Sequence, residues 1–210
     1  MTIAEILSLS PVIPVVTLED ERVAVELAGA LVRGGIGVIE VTLRTPRAFK
    51  AIENIARSVP QMRVGAGTVL SPADLATALR AGACFAVSPG STAALLAEAR
   101  TAGILYLPAV ATASELMTAI DAGYQCFKFF PATVAGGVEL LEAFEKPFPL
   151  ARFCATGGIT AKTAGSYLRR PNVLCVGGSW LTPTDALANR DWARIESLAA
   201  AAVTLRSAVR

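Results

Sequence analysis

Histidine is absent from the 210 residues of this chain, which removes the commonest general base and the commonest ligand of zinc-type metals. A Ser-His-Asp triad is excluded, and so is a histidine-ligated metal site. Lysine is scarce: Lys50, Lys128, Lys146 and Lys162 stand against fifteen arginines. The four cysteines, Cys84, Cys126, Cys154 and Cys175, are widely spaced with no C-x-x-C pair, so buried free thiols are expected over disulfides or a thiolate metal site. Charged residues make up 17% of the chain, with a formal net charge of +2 and no basic run. Nucleic acid is therefore not the expected partner. No apolar run reaches the roughly 18 residues of a membrane span, and Met1-Thr2-Ile3-Ala4-Glu5 has no positive n-region. The expectation is a cytoplasmic protein that acts on a small molecule and engages neither nucleic acid nor membrane.

What is present is apolar and regularly divided. Hydrophobic residues are 53% of the chain, enough for a sizeable core in one domain spanning residues 1–210, with no linker or low-complexity segment. Short β-branched or apolar runs recur, each followed by an alanine- and leucine-rich stretch of helical spacing. Strands are expected near Val12–Val16, Val38–Thr42, Val64–Ala66, Phe85–Ser88, Leu105–Pro108, Cys126–Phe129, Phe153–Ala155 and Val173–Val176. Ser71-Pro72 and Ser91 read as helix starts, and Ala81-Gly82, Ala102-Gly103 and Ala122-Gly123 as helix ends. Residues 1–10 suggest a short leading helix and Asp191 to Arg210 a closing one. Eight βα units with continuously apolar strands favour an α/β fold, a single-domain (β/α)₈ TIM barrel, over an open sheet. A doubly wound sheet would carry a glycine fingerprint after its first strand, whereas Gly34-Gly35-Ile36-Gly37 precedes a strand.

Within Cys126-Phe127-Lys128-Phe129-Phe130-Pro131 a single lysine interrupts an aromatic strand. Burial disfavours an ammonium and makes an amine nucleophilic near neutral pH, and the natural reaction of such an amine is Schiff-base formation with a carbonyl. A lysine that snorkels or pairs with a carboxylate for structural reasons fits the segment equally well. In Val38-Ile39-Glu40-Val41-Thr42-Leu43-Arg44 the two-residue period puts Glu40, Thr42 and Arg44 on one face. Glu40 is thus a candidate lumen carboxylate, either a proton shuttle beside Lys128 or its structural ion-pair partner. Arg44 suits bidentate capture of a carboxylate, and Gly65-Ala66-Gly67-Thr68 offers backbone amides and a hydroxyl beside it. Ser88-Pro89-Gly90 closes the fourth strand as a turn or a substrate contact. Thr156-Gly157-Gly158 and Gly177-Gly178-Ser179 fall after strands seven and eight, where barrels of this kind bind phosphate through free amides and helix N-termini.

Those six motifs, read as Glu40-Val41-Thr42-Leu43-Arg44, Gly65-Ala66-Gly67-Thr68, Ser88-Pro89-Gly90, Lys128-Phe129-Phe130-Pro131, Thr156-Gly157-Gly158 and Gly177-Gly178-Ser179-Trp180, occur in the order seen in the 2-keto-3-deoxy-6-phosphogluconate (KDPG) and 4-hydroxy-2-oxoglutarate aldolases. The chain resembles that family over nearly its whole length. The resemblance implies a metal- and cofactor-independent class I aldolase, a homotrimer, with Lys128 forming the Schiff base and Glu40 as general acid/base. It implies that the pyruvyl carboxylate lies near Arg44 and Thr68, that Pro89, Phe130 and Thr156 line the pocket, and that the phosphate lies near Gly157, Gly158, Gly178 and Ser179. The implied substrate is a keto-acid sugar phosphate. Ala155, Ala109 and Thr133 depart from the family pattern, which expects proline, glycine and an acidic residue there, so the choice among KDPG, its galactonate epimer and 4-hydroxy-2-oxoglutarate stays open. Two other readings fit the residues alone: a phosphosugar isomerase or epimerase using Glu40 as base without a covalent adduct, and a non-catalytic sugar-phosphate-binding barrel in which Lys128 and Glu40 are structural.

Overall fold

The apolar runs form parallel strands in the computed structural model, which describes residues 1–206. Among the described residues these are β1 (Val12–Val16), β2 (Val38–Thr42), β3 (Arg63–Gly67), β4 (Phe85–Val87), β5 (Leu105–Leu107), β6 (Ala109–Val110), β7 (Cys126–Phe129), β8 (Arg152–Thr156) and β9 (Val173–Gly178). They pair in the order β5-β4-β3-β2-β1-β9-β8-β7-β6. Nine strands instead of the expected eight have a local cause. The fifth run is interrupted at Pro108, which has no N–H to give to a ladder. Its first half pairs with β4 and its second half with β7. The two ends of the sheet are therefore one chain segment, and the barrel closes through the covalent backbone at Pro108. The (β/α)₈ architecture read from the sequence is the one observed.

Helix α1 (Ile3–Leu7) precedes the barrel. After β1 to β4 come α2 (Ala24–Arg33), α3 (Ala48–Ser58), α4 (Pro72–Arg80) and α5 (Ala93–Thr101). After β6, β7 and β8 come α6 (Ala113–Asp121), α7 (Gly137–Glu145) and α8 (Ala164–Leu168), and α9 (Thr184–Ala188) and α10 (Trp192–Val203) follow β9. The leading helix is shorter than residues 1–10: a capping box between Thr2 and Glu5 starts it at Ile3, and Ser8 caps it after Leu7. The closing helix gives way at Thr204–Arg206 to a 3₁₀ turn. Residues 207–210 of the expected closing helix lie outside the described residues. Ser71 caps α4 with proline at the first turn, as its sequence suggests, and Gly82 turns the chain beyond it at a φ of 86°. At α5 the cap is Thr92, not Ser91: the Thr92 hydroxyl accepts from the Leu95 N–H at 3.2 Å, while the Ser91 hydroxyl donates to the Ala109 carbonyl at 3.0 Å.

Strand β7 shows how packing aims a side chain. Phe127 and Phe129 are fully buried and meet Phe153 of β8 at centroid distances of 5.9 and 6.4 Å, and Phe153 in turn stacks on Phe144 of α7 at 6.1 Å. Each such ring contributes roughly 1.5–3 kcal/mol by leaving water. Because neighbours in a strand alternate sides, this aromatic layer between sheet and helix forces Lys128 and Phe130 to the lumen. A register slip of one residue would bury the lysine among the rings and turn the rings inward. Lys128 pairs in register with Ala109 on one side and Cys154 on the other.

Candidate active site

Glu40 and Lys128 meet across the lumen. The two residues are 88 apart in sequence and sit on β2 and β7, between which the ring places β1, β9 and β8. Lys128 Nζ donates to Glu40 Oε1 at 3.0 Å, with side-chain exposures of only 6% and 5%. A buried charged pair is a poor stabiliser, since desolvation offsets much of the attraction. Such an arrangement at the end of a barrel is therefore a candidate for chemistry, with an amine and a carboxylate in proton-transfer contact. Lys128 Nζ also lies 5.3 Å from the centroid of Phe130, the residue just past the end of β7.

Phe130 connects this pair to a cavity of about 340 Å³, a size suited to a small metabolite. The cavity takes in Arg44, Phe130, Thr156, Gly157, Gly158, Gly178 and Ser179, which gathers seven of the expected substrate-binding positions in one place. Glu40 and Lys128 are enclosed below it, and Thr68 and Pro89, which follow β3 and β4, are not part of its wall. Thr68 is held at a φ of 59°, a conformation uncommon for a residue other than glycine. Arg44 is exposed to the cavity and makes no ion pair among the described residues. Arg44 lies in the turn just beyond β2 and its guanidinium is thus available for an anion, while Thr42, the last residue of β2, is tied to the Val16 carbonyl at 3.1 Å and to the Thr17 hydroxyl at 2.8 Å.

The glycine motifs divide into two kinds. Gly65 and Gly67 belong to β3, and what they supply is space: a methyl group on Gly65 would meet the Phe85 ring, and one on Gly67 would meet the Glu40 carboxylate. Gly177 likewise makes room for Thr156, and Gly178 for the Trp180 ring. Gly157 and Gly158 differ: both line the cavity, and their φ values of 104° and 76° are a conformation other residues resist. The departures from the family pattern separate in the same way. Ala155 and Ala109 are buried in strands outside the cavity wall, whereas Thr133 donates its hydroxyl to the Gly157 carbonyl at 3.0 Å.

Sequence reasoning missed Thr17, Thr182 and Thr184, all of which line the cavity. Thr17 was detectable as the polar residue that directly follows the first strand, by the rule that barrel chemistry gathers at strand C-termini. Thr182 and Thr184 carry no such signal, because their place depends on how the chain turns after Trp180. A buried thiol layer lies beneath Thr156. The Cys154 sulfur is 3.7 Å from Thr156 Oγ1 and pairs in register with Cys175. Hydrogen bonding with Cys175, assisted by Thr156 and the Lys128 charge, holds the Cys154 thiol below its ordinary value against the opposing effect of burial. None of the four cysteines forms a disulfide, and no cluster of three potential metal ligands occurs among the described residues. No helix among them is long and apolar enough to cross a membrane.

Comparison with known proteins agrees with this geometry. Residues 3–198 match the family model described as "Aldolase: KDPG and KHG aldolase". The KHG/KDPG aldolase of Escherichia coli strain K12 is 50% identical over 198 residues, 94% of this chain and 93% of its own. The 2-dehydro-3-deoxy-phosphogluconate aldolase of Pseudoalteromonas atlantica is 49% identical over 199 residues, 95% of this chain and 93% of its own. Among solved structures, a KDPG aldolase from Legionella pneumophila, with pyruvate captured at low pH as a covalent carbinolamine intermediate, superposes with a TM-score of 0.95 at 45% identity, covering 97% of this chain and 98% of that one. With a buried lysine–carboxylate pair under an anion-ready cavity and relatives of this closeness over nearly its full length, the chain belongs to the KDPG and KHG aldolase family.

Proposed function

We propose that this chain is a class I aldolase that cleaves 2-keto-3-deoxy-6-phosphogluconate to pyruvate and glyceraldehyde 3-phosphate, and also 4-hydroxy-2-oxoglutarate to pyruvate and glyoxylate. The observation that carries the proposal is the buried 3.0 Å contact between Lys128 Nζ and Glu40 Oε1 below the cavity. Glu40 takes a proton from the Lys128 ammonium, and the free amine adds to the C2 ketone of the substrate. The same carboxyl returns the proton to the carbinolamine oxygen, which leaves as water and yields the iminium. The bond between C3 and C4 then breaks with its electron pair drawn into the iminium, while the Glu40 carboxylate, directly or through a water, takes the C4 hydroxyl proton. The aldehyde departs and an enamine remains on Lys128. Protonation at C3 by the Glu40 carboxyl gives the pyruvyl iminium, which water hydrolyses to pyruvate and free lysine.

The residues around this pair take the roles that the family resemblance implies. Arg44, unpaired and facing the cavity, binds the pyruvyl carboxylate, and Thr68 and Pro89, which follow β3 and β4 outside the cavity wall, approach the substrate from the side of the Lys128–Glu40 pair. Thr156 and Phe130 line the cavity beside the sugar chain, and Gly157, Gly158, Gly178 and Ser179 hold the phosphate. The chain acts as one domain over residues 1–210, in the cytoplasm, as a homotrimer. The test of the reaction class is incubation with pyruvate and borohydride followed by peptide mass mapping. An adduct confined to Lys128, lost in Lys128→Ala together with turnover, is the expected result. Recovery of no lysine adduct from folded protein would overturn the assignment.

A further inference from the structure

A loop of two glycines has little to hold it in one conformation. Gly157 and Gly158 both have positive φ, so the peptide between them could turn over at low cost and swing the Gly158 N–H away from the cavity. Two hydrogen bonds oppose this. The backbone N–H and the hydroxyl of Thr133 both donate to the Gly157 carbonyl, each at 3.0 Å. In a trans peptide the carbonyl and the following N–H point in opposite directions. Gly158 lies between the cavity and a second hollow whose wall includes Thr133. Holding the carbonyl on the Thr133 side therefore aims the Gly158 N–H at the cavity, and among the described residues that N–H finds no acceptor. The threonine side chain also fills the space behind the loop: a methyl group on Gly158 would come within 2.8 Å of the Thr133 Cβ.

We propose that Thr133 is a positioning residue that aims the Gly158 N–H at the substrate phosphate, so that preference for a phosphorylated substrate depends on a side chain that does not touch it. This rests on the aldolase reading above, with the phosphate at the Gly157-Gly158 loop. Preorganised amide donors bind an anion more tightly than donors that must first be ordered.

The test compares KDPG with 2-keto-3-deoxygluconate, which lacks only the phosphate, in wild type, Thr133→Val and Thr133→Ser. The valine variant keeps the shape and the backbone N–H bond and loses the hydroxyl. It is expected to raise the KM for KDPG and the inhibition constant of inorganic phosphate about five-fold, the scale of one hydrogen bond. It should leave kcat and both constants for 2-keto-3-deoxygluconate unchanged, and the serine variant should restore the wild-type KM. An unchanged KM for KDPG in Thr133→Val, or equal losses with both substrates, overturns the proposal. A wild-type enzyme that shows no preference for KDPG over 2-keto-3-deoxygluconate overturns the phosphate reading itself, and failure of pyruvate to be trapped on Lys128 overturns the aldolase reading, so each layer fails by a separate measurement.

Discussion

Replacing Glu40 by glutamine separates a proton carrier from a counter-ion. The substitution keeps the shape that fits against Gly67 and keeps an oxygen within reach of Lys128 Nζ, 3.0 Å away in the native pair. Packing should survive, and only charge and acid–base capacity change. If Glu40 merely balances charge, its loss leaves a buried ammonium without a counter-charge, which disfavours the charged amine and would maintain or speed iminium formation. If Glu40 carries protons in carbinolamine dehydration and enamine protonation, both steps slow. The expected fall in kcat is about 10²- to 10⁴-fold, the usual range for a positioned acid or base, which corresponds to about 3–5 kcal/mol of barrier. Replacing a charge-assisted bond by a neutral one should cost about 1–3 kcal/mol of stability, or about 2–4 °C of Tm per kcal/mol in a chain of this size. Three readouts on the same preparation suffice: pyruvate release, solvent deuterium exchange into the pyruvate methyl group, and the rate of borohydride trapping. Turnover and exchange within about three-fold of wild type in a folded Glu40→Gln protein would refute the reasoning, because the acid–base contribution would then be negligible on this scale.

Other outcomes follow from the same geometry. Arg44→Ala removes the cavity's unpaired guanidinium and should raise the pyruvate dissociation constant about 10- to 100-fold, the range of a charge-assisted bond to a carboxylate; unchanged pyruvate binding by calorimetry would remove Arg44 from the site. Gly177→Ala drives a methyl group into Thr156, so KM should rise and stability fall by about 1–3 kcal/mol, whereas wild-type kinetics and Tm would show that the strand yields without cost. Burial, with Tyr106 adding to it, pushes the Tyr124 phenol up to about 12, and burial also pushes Tyr106 up. The neutral phenols are favoured in the fold, so their contribution to stability is whole below the unfolded value near 10 and is lost as pH rises from there toward 12. Ultraviolet titration should show these two tyrosines ionising late and together with unfolding, and ordinary titration of both in the folded chain would contradict their burial.

Much of this was legible because it is local. Seven of the eight expected strands lie where short apolar runs mark them, with ends shifted by at most two residues, and the fifth is divided at Pro108 for want of one N–H. Capping chemistry located α4 correctly and misplaced α5 by one residue, since Ser91 and Thr92 offer the same hydroxyl and only the Ala109 carbonyl, which draws Ser91 away, decides between them. The glycine motifs were found where they lie, but not what they do. A glycine that frees an amide and a glycine that makes room for Phe85 or Glu40 look the same until the neighbouring strand is present.

Sequence alone determined which residues share a strand face, because the two-residue period is a property of the extended backbone. It put Lys128 inside an aromatic strand, Glu40 on the face of Thr42, and, through ordered motifs, the chain in its family; Arg44 lies in the turn past the end of β2, where the strand period no longer applies. Tertiary structure decided that Lys128 and Glu40 meet, that Thr133 restrains the Gly157-Gly158 loop, and that Thr17, Thr182 and Thr184 join the cavity wall. Periodicity states on which side of a strand a group lies and says nothing of what stands across the lumen. That distance exists only once the strands have closed into a ring.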